Sequence, residues 1–143
     1  MTQPGVDVSA LSTRVLIPGE GSGQVLWLRA DISFWGGVDP RSGKVIDPRH
    51  PQYGECLKDR IIVARRSIGS SSGSSVLLEL FRRGCAPSGI ILAEADLVIC
   101  LGVVVAQEMS MASIPVLQLE AAHFPQLPGK LSISLDGEIS PPG

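Results

Sequence analysis

Residues 60–83 read RIIVARRSIGSSSGSSVLLELFRR. Residues 60–64 have the apolar, β-branched composition of a buried strand, and 76–83 that of a helix. Between them lies the run Gly-Ser-Ser-Ser-Gly-Ser-Ser at 69–75. A strand-to-helix turn of this kind can present a hydroxyl beside free backbone amides. The first N–H groups of a helix have no partner inside it, and the helix dipole adds partial positive charge there, so an alkoxide held at that point is stabilised. The same composition also suits a flexible linker. Apolar sequence resumes at once on both sides, whereas a linker usually separates domains, so we read the turn as a site.

Upstream, residues 14–17 read as a first strand ended by Pro18-Gly19, and Gly19-Glu20-Gly21-Ser22-Gly23 turns the chain into a buried strand at 24–30. That Gly-rich turn precedes a strand and lacks a Lys-Ser/Thr ending, so it reads as a plain turn and not as a phosphate cradle. Residues 33–55 are dense in turn dipeptides, including Gly36-Gly37, Asp39-Pro40, Asp47-Pro48 and His50-Pro51. A loop of that length inside one domain performs a task or holds a short hairpin, and residues 44–46 could supply one strand of it. Downstream, Gly84 should cap the helix, with a strand at 86–92, a further buried segment at 96–106 and a short strand at 114–117. A strand at 131–135 then turns through Asp136-Gly137 into 138–139. Strands interspersed with one or two short helices imply an α/β domain built on a small curled sheet or barrel. Composition divides the chain into a flexible lead-in (1–13), one domain (14–139) and a disordered tail (140–143).

The 143 residues suffice for one core, and 44% of them are hydrophobic. No apolar run reaches the roughly 18–20 residues a membrane helix needs; the longest, 97–106, is too short. The N-terminus shows no basic region followed by an apolar core, so the expected location is cytoplasmic. A net charge of -2, without clustered Lys/Arg beyond the pairs at 65–66 and 82–83, gives no footprint for nucleic acid. Cys56, Cys85 and Cys100 are scattered and odd in number, which argues against a disulfide framework and for small buried hydrophobes. With His50 and His123 as the only imidazoles, the chain is expected to hold no metal of its own.

Within the turn, Ser72 or Ser74 is the expected helix cap. Ser70, the first hydroxyl after Gly69, lies furthest from the helix body and is the candidate catalytic group. A serine acting as a base needs its alkoxide stabilised by amides and a nearby cation or metal. Gly69, Ser71, Ser72 and Gly73 are the candidate substrate contacts around it. Gly69–Gly73 also fits Gly-x-Ser-x-Gly, but the chain offers few imidazoles and no sign of the larger sheet that a hydrolase elbow requires. His50, between turn residues and Pro51, could orient substrate or contact a partner; a surface loop ordered by its own Asx turns is the alternative. A non-catalytic binding or regulatory module that grips a partner through the long loop is the competing function class.

Three separated motifs carry a resemblance: residues 33–40 (SFWGGVDP), 46–55 (IDPRHPQYGE) and 69–74 (GSSSGS), with Gly84-Cys85-Ala86-Pro87 and Ala93-Glu94-Ala95-Asp96 at matching places. Over about residues 15–116 the chain resembles the small subunit of aconitase X, the swivel domain of the aconitase superfamily. The resemblance implies a swivelling β/β/α domain that closes over a large subunit carrying an iron or iron–sulfur centre. It implies a dehydratase whose proton acceptor is Ser70, acting on a small carboxylate. Two activities occur in the family, dehydration of cis-3-hydroxy-L-proline to a pyrroline carboxylate and dehydration of mevalonate 5-phosphate. Many members carry Gly-Lys/Arg-Gly before the serine, whereas Ser67-Ile68-Gly69 stands here. Loss of that cation favours the hydroxyproline substrate, because phosphate recognition favours Lys or Arg; Arg65 or Arg66 could compensate.

Overall fold

The strand read at 60–64 lies at the centre of a seven-stranded sheet. The computed structural model describes residues 7–68 and 72–142, and its strands are β1 (Arg14–Ile17), β2 (Gly21–Trp27), β3 (Ile61–Ala64), β4 (Gly89–Leu92), β5 (Val116–Gln118), β6 (Lys130–Ile133) and β7 (Ile139–Ser140). Their order is β1-β5-β4-β3-β2-β6-β7. The run β2-β3-β4-β5 is parallel, with Leu26 opposite Ile62, Ile62 opposite Ile90, and Ile90 opposite Val116. β1, β6 and β7 add antiparallel edges. Helix α2 (Ser72–Arg82) crosses from β3 to β4, and α3 (Leu97–Glu108) from β4 to β5; a single turn, α1 (Phe34–Gly37), precedes them.

β3 and β4 are buried along their whole length, as parallel strands covered on both faces must be. The two-residue period sorts their side chains. Ile62, Ala64, Ile90 and Leu92 join Val76, Leu77, Leu80, Ile99 and Val103 of the helices in one core. Ile61, Val63 and Ile91 join Leu117, Phe124, Leu131, Ile133 and Ile139 in a second. Because β6 and β7 share that second core with β5, four and five places away in the sheet, the sheet curls into a half-barrel. This is the α/β, curled-sheet architecture expected from the strand pattern.

Gly84 does end α2 as the sequence suggests. Its φ is +71°, Gly84 N donates to Phe81 O (3.2 Å) and Cys85 N to Leu80 O (2.8 Å), the paired bonds of a Schellman cap.

Several boundaries shift. The segment at 96–106 is a helix, and its apolar residues on every side hid the period by which helices are read. The strand expected at 24–30 starts at Gly21 and stops at Trp27. The proposed hairpin strand at 44–46 is reduced to single bridges, Val38 to Val45 and Lys44 to Cys56. Val8, in the stretch read as a loose lead-in, is buried in the second core, and Ser140, read as tail, pairs with Ser132 in β7. The three cysteines are free and half-buried.

Candidate active site

In an open parallel sheet, chemistry gathers where the strands end and the helices begin. β3 ends at Ala64, and the chain then runs through Arg65–Ile68 before Gly69, Ser70 and Ser71, which lie outside the described residues, and re-enters at Ser72. Both flanks are fixed. On the incoming side Ser67 bridges Ile32 in parallel, and Ile68 N donates to Ile32 O at 2.9 Å. Ser67 N and Oγ both donate to Oδ2 of Asp96, each at 2.6 Å. Asp96 also caps α3, its Oδ1 accepting from Ile99 N at 3.1 Å.

On the outgoing side α2 begins at Ser72, earlier than the expected residue 76, so Ser72 and Ser74 both sit inside its first turn. The expectation of a cap at Ser72 or Ser74 is therefore displaced. Ser72 is exposed, and its carbonyl accepts from Ser75 Oγ at 2.7 Å. Gly73 is buried where a Cβ would lie 3.1 Å from Val98 Cγ1 and 3.5 Å from Phe34 Cβ, so it serves close helix packing. Gly102 does the same from α3, with a Cβ there 3.2 Å from Ser74 O.

Beside the turn is a cleft of about 400 Å³ lined by Asp31, Trp35, Ile46, Asp47, Arg49 and Ile68 among others. Trp35 is 67% exposed, and backbone geometry explains its stance: α1 breaks at Trp35 (ψ 115°) and Gly36 (φ +82°), where only a residue without Cβ adopts the left-handed turn freely. Next to this cleft a second one is lined by Arg66, Ser67, Glu94, Asp96 and Leu97. The cations between them are paired. Arg65 reaches Asp31 at 3.1 Å, and Arg66 lies 3.6 Å from Asp31 and 3.7 Å from Glu94. The hydrogen bond to Asp31 holds the Arg65 guanidinium above its usual value. Arg49 is nearly fully exposed and only 4.0 Å from Asp47.

His50 does not line the cleft. It is 6% exposed, its Nδ1 accepts from Gln52 N at 3.0 Å, and its Nε2 lies 3.0 Å from Ala30 O. With Nδ1 accepting, Nε2 carries the proton and donates. Nδ1 is thus committed within the long loop, and Nε2 ties that loop to the residues just after β2, where Gln52 Oε1 also accepts from Arg29 N at 2.8 Å. The long loop is ordered by such bonds, and His50, expected to orient substrate or contact a partner, lies buried among them. Sequence reading missed Trp35, Ile68 and the Ser67–Asp96 pair as parts of the site. Asp96 had a readable signal, an Asp directly before an apolar run, which is the mark of a helix cap.

Among the described residues, no three His, Cys, Asp or Glu side chains converge to hold a metal ion. A resident iron or iron–sulfur centre therefore finds no ligand set in them. No helix among them is long and apolar enough to cross a membrane.

The aconitase X swivel domain model matches residues 10–140. The chain is 47% identical over 103 residues to a cis-3-hydroxy-L-proline dehydratase of Pseudomonas aeruginosa, a match covering 72% of this chain and 18% of that protein. It is 33% identical over 126 residues to a phosphomevalonate dehydratase small subunit of Methanothermobacter thermautotrophicus, covering 88% and 89%. The chain thus spans about a fifth of the hydroxyproline dehydratase and nearly all of the small subunit. Among solved structures, aconitase X of Thermococcus kodakaraensis in its holo-form superposes with a TM-score of 0.79 at 30% identity, over 91% of this chain and 95% of that one. With the family model spanning both cores and the turn between β3 and α2, the chain belongs to the aconitase X swivel-domain family.

Proposed function

We propose that this chain is the small subunit of an aconitase X type hydro-lyase, that it dehydrates cis-3-hydroxy-L-proline together with a large subunit, and that Ser70 is the proton acceptor. The pairing of Arg65 and Arg66 with Asp31 and Glu94 carries the choice of substrate. Both arginines that could replace the missing Lys/Arg before Gly69 are already neutralised, which suits a monoanionic carboxylate better than a phosphate ester. The higher identity to the hydroxyproline enzyme agrees. Arg49, loosely held at the cleft, is the observation that favours mevalonate 5-phosphate instead.

The chemistry asked of this chain is general-base catalysis. Ser70, as alkoxide, takes the proton alpha to the carboxylate; the C–H electrons form the new double bond, and the 3-hydroxyl leaves as the C–O bond breaks. The amides at the start of α2 stabilise the alkoxide form. The iron or iron–sulfur centre belongs in this proposal to the large subunit.

Exposed apolar residues around the turn support a partner. Leu97, at the first position of α3, is 85% exposed, and Trp35 and Ile68, which line the neighbouring cleft, are exposed as well. Along α3 the exposed Leu101 and Val104 extend this surface, which water alone would not favour.

Reconstituting the chain with its large subunit and assaying cis-3-hydroxy-L-proline and mevalonate 5-phosphate side by side tests this directly. We expect turnover of the hydroxyproline by the pair and none by the chain alone. Turnover confined to mevalonate 5-phosphate would reverse the substrate assignment, and activity of the isolated chain would overturn the two-subunit reading.

A further inference from the structure

We infer that Asp96 is a positioning residue for the serine turn, holding through Ser67 the segment from which Ser70 acts; this rests on the assignment of Ser70 as the base. Asp96 is a carboxylate only 8% exposed, and a buried charge persists where several donors meet it. Three do so here. One, Ile99 N, belongs to α3's own cap, a task that Asn performs as well as Asp. The other two, Ser67 N and Oγ, converge on the same oxygen from a segment 29 residues earlier in the chain. A helix cap alone does not require them. Their effect is to pin residue 67, three positions before Ser70, onto the first turn of α3.

The far end of the serine turn rests on the same place. Gly73 packs on Val98, two residues beyond Asp96. Entry and exit of the turn are therefore both referenced to the N-terminal turn of α3, one through a charge-assisted hydrogen bond and the other through a glycine contact. Charge-assisted bonds at 2.6 Å are short and directional, which suits a latch. A base displaced by about 1 Å can lose about a hundredfold in rate, so a latch at this point bears on turnover more than on folding.

Asp96→Asn separates the two tasks. An amide can accept at only one of the two positions, so keeping the α3 cap leaves an NH2 group facing the two Ser67 donors. In the complex with the large subunit, using cis-3-hydroxy-L-proline, we expect Asp96→Asn to lower kcat about 30- to 100-fold with KM changed less than about threefold. Ser67→Ala removes one of the two donors and should cost about 3- to 10-fold, with Ser67→Thr close to wild type. On a Ser70→Ala background, Asp96→Asn should change the residual rate by less than about twofold, since a residue acting through Ser70 has nothing left to position. Amide hydrogen exchange, which needs no substrate, should rise in a peptide covering residues 66–75 and stay unchanged across 97–108. The inference is overturned if Asp96→Asn and Ser67→Ala both keep kcat within about twofold of wild type. It is overturned equally if Asp96→Asn lowers the Ser70→Ala residual rate by the same factor as it lowers the wild type. A Ser70→Ala complex at full rate would instead remove the base assignment itself, leaving the exchange result to stand on its own.

Discussion

Two stretches that carry glycine and serine, Gly-Glu-Gly-Ser-Gly at 19–23 and Gly-Ser-Ser-Ser-Gly-Ser-Ser at 69–75, sit at opposite ends of the parallel strands. The first enters β2 beside the starts of β3 and β4. There a Cβ on Gly21 would lie 2.0 Å from Ser88 O, and one on Gly23 2.3 Å from Asp59 O. These glycines exist because backbone meets backbone with no room for a side chain. The cavity at that end, about 320 Å³, is lined by Glu20 and Asp59 and by no Lys or Arg, which is poor provision for an anionic substrate. The second stretch follows the end of β3, with Trp35, Arg49 and Ile68 lining the cleft beside it and a helix N-terminus ahead. Gly21, Gly23 and Gly73 all serve close packing, while the serines before α2 carry the proposed chemistry. Position relative to strand direction separates the two as clearly as their serine content does.

That contrast can be broken in several places. The largest effect should come from the partner surface: Trp35→Asp with Leu97→Asp should weaken association with the large subunit about 100-fold or more, whereas Leu135→Asp, exposed at the opposite end, should change it less than about twofold. Calorimetric titration would measure both. Gly21→Ala should lower stability by about 3 kcal/mol, roughly 10 °C in Tm, with kcat of the complex unchanged below the transition. Gly73→Ala meets a movable Val98 methyl at 3.1 Å and Phe34 Cβ in ordinary contact at 3.5 Å, so it should cost about 1 kcal/mol in stability. It should nevertheless lower kcat about tenfold by shifting the first turn of α2. Equal kinetic effects at the two glycines would erase the distinction.

The smallest effect is a surface one shared by neither end. Hydrogen bonds from Arg82 and Arg83 hold the Glu79 carboxyl down to about 2, against an ordinary 4.5. A depressed carboxylate favours the folded state above its ordinary value and loses that contribution as pH falls from about 4.5 toward 2. Glu79→Gln should therefore flatten acid unfolding slightly in this window, and added salt should shrink the difference because the group is exposed.

Much of this contrast was legible before any coordinates. Strand 60–64, the glycine stop at Gly84 and the unsuitability of 19–23 as a phosphate cradle all follow from local chemistry. Hidden features depended on distance along the chain. Ser67 and Asp96 meet because β3 and β4 run parallel and adjacent, which sets the two strand ends side by side across 29 residues. His50 seemed free because its acceptor, Ala30 O, lies 20 residues away, just past the end of β2. α3 was read only as a buried segment because Leu97, Leu101 and Val104 face outward with the same apolar chemistry that Ile99, Gly102 and Val103 turn inward. An apolar outer face blurs the helical period.

The measurement that bears most directly on the central claim compares Ser70→Ala with Ser22→Ala, one from each Gly/Ser-rich stretch, in the complex with the large subunit. Turnover of cis-3-hydroxy-L-proline should fall by about a thousandfold for Ser70→Ala, with assembly intact, and stay within about twofold of wild type for Ser22→Ala. A Ser70→Ala complex that dehydrates at near the wild-type rate would contradict the account.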